Sequence, residues 1–146
     1  MPSGMSATLA LLVDPDADTR SLYRAALEQE AWTVEEANDG REALAKTIAQ
    51  RPELLVTETR LFGMDGFNLC VQIRADPEVY ATSIVVVTET STPDAIVHAH
   101  SSGADRVLIK PCAADRLLTT IAELRAQSRA IVQRSRQSVS DLRERT

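Results

Sequence analysis

The feature that most constrains this chain is a strict alternation of short, β-suited runs with longer stretches of helical period. Residues 9–13, 32–36, 54–57, 84–88 and 107–109 are the strand candidates. Several are continuously apolar rather than alternating, as strands covered on both faces require. Helix starts stand between them: Asp16 to Thr19 ahead of Leu22, Tyr23, Ala26 and Leu27, and Asn38-Asp39-Gly40 ahead of Ala43, Leu44 and Ile48. Others are Asp65-Gly66 before Phe67 and Leu69, Ser91-Thr92-Pro93 before Ile96, and Ala113 to Asp115 before Leu117. Pro52 marks the stop of the second helix and Gly103 that of the fourth. Five βα units in 146 residues predict an α/β fold, an open parallel five-stranded sheet in a three-layer αβα sandwich.

The length suits one domain. With 44% apolar and 25% charged residues the composition is that of a globular chain. Aromatics are only 3%, so Leu, Val, Ile and Ala must fill the interior. The longest apolar runs fall far short of the roughly 20 residues that cross a bilayer, and the first eight residues lack the basic region of a secretory leader. Cys70 and Cys112 form neither a disulfide framework nor a CxxC pair. The expectation is a reducing, cytoplasmic setting with both thiols buried as packing groups.

Charge divides the chain. Residues 1–124 carry −9 (10 basic, 19 acidic) and residues 125–146 carry +4 (6 Arg, 2 acidic). An acidic body argues against affinity for nucleic acid, which depends on neutralising phosphates. The organisation expected is a domain over residues 8–126 and a helical extension over 127–146. From residue 117 to 142 there is no Gly or Pro, and Leu117, Ile121, Leu124, Ser128, Ile131, Ser135, Ser138 and Leu142 recur at helical spacing. Three serines make a weak seam, so a solvated helix stands beside pairing into a homodimer.

In open α/β sheets ligands bind beyond the carboxyl ends of the strands. Those ends read Asp14, Thr57-Glu58, Thr88-Glu89 and Lys110-Pro111. Lys110 is one of only two lysines and follows Val-Leu-Ile directly. Either it reaches toward the carboxylates as part of a site, or it caps its strand in an isolated ion pair, which is worth little.

These pieces, in this order, resemble the receiver domain of bacterial two-component response regulators. They are Leu-Leu-Val-Asp14, the loop from Arg60 through Gly63-Met-Asp65-Gly66-Phe, the Val-Val-Val-Thr88 strand, and Gly103-Ala-Asp-Arg-Val-Leu-Ile-Lys110-Pro111. The resemblance covers about residues 8–126 and implies a flavodoxin-like sheet of order 2-1-3-4-5. It also implies an acidic pair that holds Mg²⁺, an Asp that takes a phosphoryl group, a Thr and a Lys that contact that group, and a cis Lys-Pro bond. Asp14 matches the first acid, Thr88 the hydroxyl and Lys110 the ammonium.

The departures all bear on one reaction. Pro15 stands at the second acid and offers a metal no oxygen, so the Mg²⁺ site at Asp14 is weak or lost and no cofactor is expected. Asp16 could substitute only through a shifted loop. Glu58 stands at the phosphoacceptor, and its extra methylene displaces the attacking oxygen by more than about 1 Å, an error that alignment for attack tolerates poorly. Glu89 replaces the small residue after the Thr, Val107 the aromatic switch three before the Lys, and Phe62 a loop proline. The reading is a pseudo-receiver that acts by contact and not by turnover. The resemblance places its partner surface on helix four, strand five and helix five (residues 96–102, 107–109 and 114–125). The partner is a histidine kinase, an output protein or a second copy, without membrane or nucleic acid.

A second class remains open. Asp14-Pro15-Asp16 after the first strand also resembles the nucleophile motif of haloacid-dehalogenase-type phosphohydrolases. There Asp14 would attack and Asp16 would protonate the leaving group in a Mg²⁺-dependent reaction. Against it, only Glu89 is present to complete the metal site and the chain leaves no room for a cap domain. His98 and His100, two apart on a helix, point to opposite sides and read as surface residues.

Overall fold

The computed structural model describes residues 8–145. Residues 1–7, on which the reading of no leader rests, lie outside the described residues. The elements run β1 (Leu9–Val13), α1 (Ala17–Gln29), β2 (Thr33–Ala37), α2 (Gly40–Gln50), β3 (Leu54–Thr57), α3 (Gly66–Ala75), β4 (Ser83–Thr88), α4 (Pro93–Ser102), β5 (Arg106–Ile109) and α5 (Ala114–Arg145). Every strand pair is parallel, in the order β2-β1-β3-β4-β5. This is the flavodoxin-like sheet that the alternation and the resemblance lead one to expect.

The helix starts follow from local chemistry. Asp16, Asp39, Asp65 and Thr92 each accept a hydrogen bond from the backbone N–H three residues on, satisfying a donor that the first turn leaves free. Strand pleat then sorts the core. Ala10, Leu12, Val56, Val85 and Val87 face α1 and α5, where Tyr23, Leu27, Leu117, Ile121 and Leu124 close over them. Leu11, Val13, Leu55, Ile84 and Val86 face α2, α3 and α4, against Ala43, Leu69, Cys70, Ile73 and Ala99.

Several boundaries differ from the sequence reading. Trp32 stays out of β2 because its N–H bonds the Leu27 carbonyl at 3.1 Å, closing the turn after α1. β5 starts one residue earlier, at Arg106. α2 ends at Arg51 in the left-handed region, just ahead of the proline that disfavours a helical predecessor. Cys112 is half-exposed, not buried as expected, because it lies in the loop after β5; only Cys70 is a core thiol, and burial pushes it up to about 11.

Glycine is required at positions 66 and 103, among others. A Cβ on Gly66 would lie 2.3 Å from the Glu58 carbonyl oxygen, so α3 starts directly against the tip of β3. Gly103 ends α4 at φ 127 and donates to the Ala99 and His100 carbonyls. Past residue 125 the exposed apolar side chains of α5 include Ile131, Val139 and Leu142. Among the described residues no helix is long and apolar enough to cross a membrane.

Candidate functional site

The sheet register brings the chemistry-bearing residues to one end. Val13 is level with Thr57, Thr57 with Val86 and Thr88 with Ile109, so the residue after each strand projects beyond the same edge. Glu58 N donates to the Val13 carbonyl at 2.9 Å and Lys110 N to the Thr88 carbonyl at 2.8 Å. Asp14, Glu58 and Thr88 are all buried.

The Lys110 ammonium sits between the two carboxylates, 2.7 Å from Asp14 Oδ2 and 3.0 Å from Glu58 Oε2. It therefore reaches inward and does more than cap its strand. The Lys110-Pro111 peptide is cis. The other oxygens are also engaged: Asp14 Oδ1 accepts from Asp16 N at 2.9 Å, and Glu58 Oε1 accepts from Thr59 N at 2.7 Å and Thr59 Oγ1 at 3.1 Å. Burial works against the Glu58 charge, but hydrogen bonds from Thr88, Lys110 and the Thr59 amide outweigh it and hold the carboxyl below its ordinary value. Burial likewise opposes the Lys110 charge, and the bonds to Asp14 and Glu58 outweigh it and raise the ammonium.

Both signs follow through linkage. The folded pKa of Glu58 is depressed, so its contribution is present above the ordinary 4.5 and is lost as pH falls through the folded value. That of Lys110 is raised, so its contribution is complete below 10.5 and is lost as pH rises through the folded value. Urea midpoints measured against pH should show a plateau between these limits, and Glu58→Gln should flatten the acid side.

These donors suit a divalent cation poorly: each carboxylate oxygen at the tips of β1 and β3 already accepts from a protein N–H, hydroxyl or ammonium, and Pro15 has no side-chain oxygen. Among the described residues no group of three His, Cys, Asp or Glu side chains converges as a metal site. Asp16, the proposed acid of the phosphohydrolase motif, turns its carboxylate to Thr19 N and Oγ1 at 3.2 and 2.5 Å and serves as the cap of α1. Glu89 is exposed and Val107 is half-buried against the core on the α2–α4 side.

Sequence reasoning missed three residues. Thr59, 5% exposed, has its hydroxyl 3.1 Å from Glu58 Oε1 and 3.0 Å from Thr88 Oγ1. Thr88 Oγ1 in turn accepts from Thr90 N at 3.2 Å. The result is a hydroxyl network that links the start of the β4–α4 loop to the Glu58 carboxylate, its bonds polarising one another. Thr59→Val should cost about 1–3 kcal/mol by leaving buried partners unsatisfied and should speed amide exchange at Thr90, whereas Thr59→Ser should keep both near wild type. Arg20 is the second: its guanidinium donates to the Asp14 carbonyl at 2.5 Å and to Glu36 Oε1 at 2.8 Å, holding the tip of β1 to β2. Tyr23 is the third. Its hydroxyl donates to the Cys112 carbonyl at 2.8 Å, and burial beside Cys112 pushes the phenol up to about 12. None of the three stands at a strand tip, which is why reading the tips passes over them.

Beside this cluster, among the described residues, a groove of about 620 Å³ opens between the β3–α3 loop and the start of α4. Phe67 and His98 are stacked in it at 3.9 Å, so His98 is exposed yet engaged.

The family model for the response regulator receiver domain matches residues 10–122. The transcriptional regulatory protein ResD of Bacillus subtilis is 35% identical over 104 residues, 71% of this chain and 42% of that protein. TrcR of Mycobacterium tuberculosis is 33% identical over 118 residues, 81% and 45% respectively. The chain thus spans less than half the length of these relatives. Among solved structures, the chemotaxis response regulator CheY4 of Vibrio cholerae superposes with a TM-score of 0.76 at 28% identity, over 81% of this chain and 98% of that one. A two-component response regulator from Clostridium difficile gives 0.75 at 31%, over 81% and 96%.

Proposed function

The chain belongs to the response regulator receiver domain family, and from that premise we propose that it is a pseudo-receiver, a signalling module that works by protein contact without taking a phosphoryl group. The observation that carries this reading is the closed ion pair between Glu58 and Lys110 at 3.0 Å. The lysine that the family resemblance assigns to a phosphoryl oxygen is instead satisfied by a side chain of the protein. A longer carboxylate, tied to Thr59 as well, keeps the pocket in one charge state, and the donors around Asp14 leave a poor place for the cation that phosphoryl transfer to a carboxylate uses. Lys110, paired with Asp14 as well, and Thr88 then hold the Glu58 position, Pro15, Asp16, Glu89 and Pro111 are their chain neighbours, and Val107 leaves no aromatic switch to turn.

Receiver domains of response regulators engage histidine kinases and output domains. The partner proposed for this chain is one of these or a second copy, met on the α4–β5–α5 face in the cytoplasm, with residues 8–126 as the receiver body and 127–146 as an extension. Incubating the unmodified protein with acetyl phosphate and Mg²⁺ and measuring intact mass tests it. No mass gain is expected; the addition of one phosphoryl group would overturn the reading.

A further inference from the structure

The two parts of this chain carry opposite net charge, −9 over residues 1–124 and +4 over residues 125–146. At the strand tips the groove has Pro15 and Phe62 among its walls and the Phe67–His98 stack within it. Phe62 is 81% exposed. Both Pro15 and Phe62 are departures from the family pattern: Pro15 puts an apolar ring where the family has an acid, and Phe62 a larger apolar side chain where it has a proline. Asp65 and Asp94 line the same groove beside Arg60, and exposed Asp16 and Glu89 lie close by in sequence to its walls.

At the opposite end α5 leaves the body. Arg125 lies 3.4 Å from Glu53, just before β3, with its guanidinium 4.9 Å above the Trp32 ring. Gln127 accepts from Arg106 at the start of β5 at 2.8 Å. Beyond that point the helix continues to Arg145, about 27 Å at 1.5 Å per residue. Its exposed Ile131 and Val139 fall on one strip at about 100° per residue. Arg129 and Arg136 flank the strip on one side and Arg134 on the other. A helix this polar, without a body beneath it, is marginal on its own in water.

We propose that this chain associates head to tail, the helix beyond Gln127 of one copy lying in the groove of the next. The occupant follows from charge and direction. The body carries −9 and the tail +4, an apolar strip between arginines suits an apolar groove with carboxylates in its lining, and the helix runs away from its own groove. Only another copy's groove is within reach. The contact is heterologous, each copy offering one tail and one groove, so it propagates into oligomers instead of closing at a dimer. It uses a surface other than the α4–β5–α5 face and stands whether or not Glu58 accepts a phosphoryl group.

Sedimentation of the full chain tests this. Wild-type average mass should rise with concentration at low salt and return to monomer as salt screens the contact. A tail variant (Arg129→Glu, Arg134→Glu, Arg136→Glu), a groove variant (Glu89→Arg, Asp94→Arg) and Phe62→Ala should each weaken association by at least about tenfold while keeping the wild-type circular dichroism of the body. Mixing the tail and groove variants should restore it. Two results overturn the proposal: a monomer at all concentrations in low salt, as expected if the basic helix serves an acidic partner of another kind, or groove and Phe62 variants that associate like wild type, which would mean two tails pair with each other.

Discussion

Replacing Lys110 by Met should lower the unfolding free energy by about 3–5 kcal/mol at neutral pH. That is a large fraction of the roughly 5–15 kcal/mol that holds a domain folded. The reason is the company the ammonium keeps. Asp14 and Glu58 both lie within 3.0 Å of the one nitrogen and both are buried. Without it two carboxylates face each other out of water and repel. Part of the loss should therefore return as pH falls toward 4 and one of them takes a proton, the reverse of the wild-type acid limb. A second substitution, Glu58→Gln, should also relieve it, because the repulsion needs both charges. Urea denaturation at pH 7 and near pH 4 checks all three statements.

The second large effect is a gain. Glu58→Asp together with Pro15→Asp should give a chain that acetyl phosphate labels, where the unmodified chain is expected to stay unlabelled. Shortening the side chain withdraws the carboxylate from Lys110, freeing the ammonium for a phosphoryl oxygen. It also sets the attacking oxygen back by about 1 Å, the scale on which alignment is decided. The new carboxylate at position 15 supplies an oxygen ligand that Mg²⁺ needs. The carboxylate oxygen would then attack phosphorus, forming the acyl phosphate as the bond to acetate breaks and acetate departs. Either single change should label weakly, since alignment and cation are both required. Intact mass of the three variants after incubation gives the answer, and silence from the double variant would place the block at Glu89 or at Val107.

Much of this was legible in the order of residues, and the reasons are specific. Strands buried on both faces must be apolar along their whole length, so Leu-Ala-Leu-Leu-Val and Ile-Val-Val-Val declared themselves. Caps are single-residue signals, and Asp16, Asp39, Asp65 and Thr92 each stood where the helix began. Lys110 was conspicuous because a lysine after three apolar residues must be aimed at something. What stayed hidden depends on pairing in space. Thr59 is an ordinary hydroxyl until Thr88 is brought within 3.0 Å of it across two strands, and Arg20 is an ordinary helix residue until β2 presents Glu36. The bounds of β2 shift for a related reason, since Trp32 is β-prone but its N–H is spent on the preceding helix. Cys112 was read as buried on residue type alone, and its neighbours in the loop decide otherwise.

The chain has a single tryptophan, and it lies where α5 quits the body, its ring under the Arg125 guanidinium at 4.9 Å. Nature has thus placed one intrinsic fluorophore at the joint between body and extension. Its emission wavelength and its accessibility to a dissolved quencher report whether the helix stays seated there, so movement of the extension on binding or assembly can be followed optically, in solution, with no label attached.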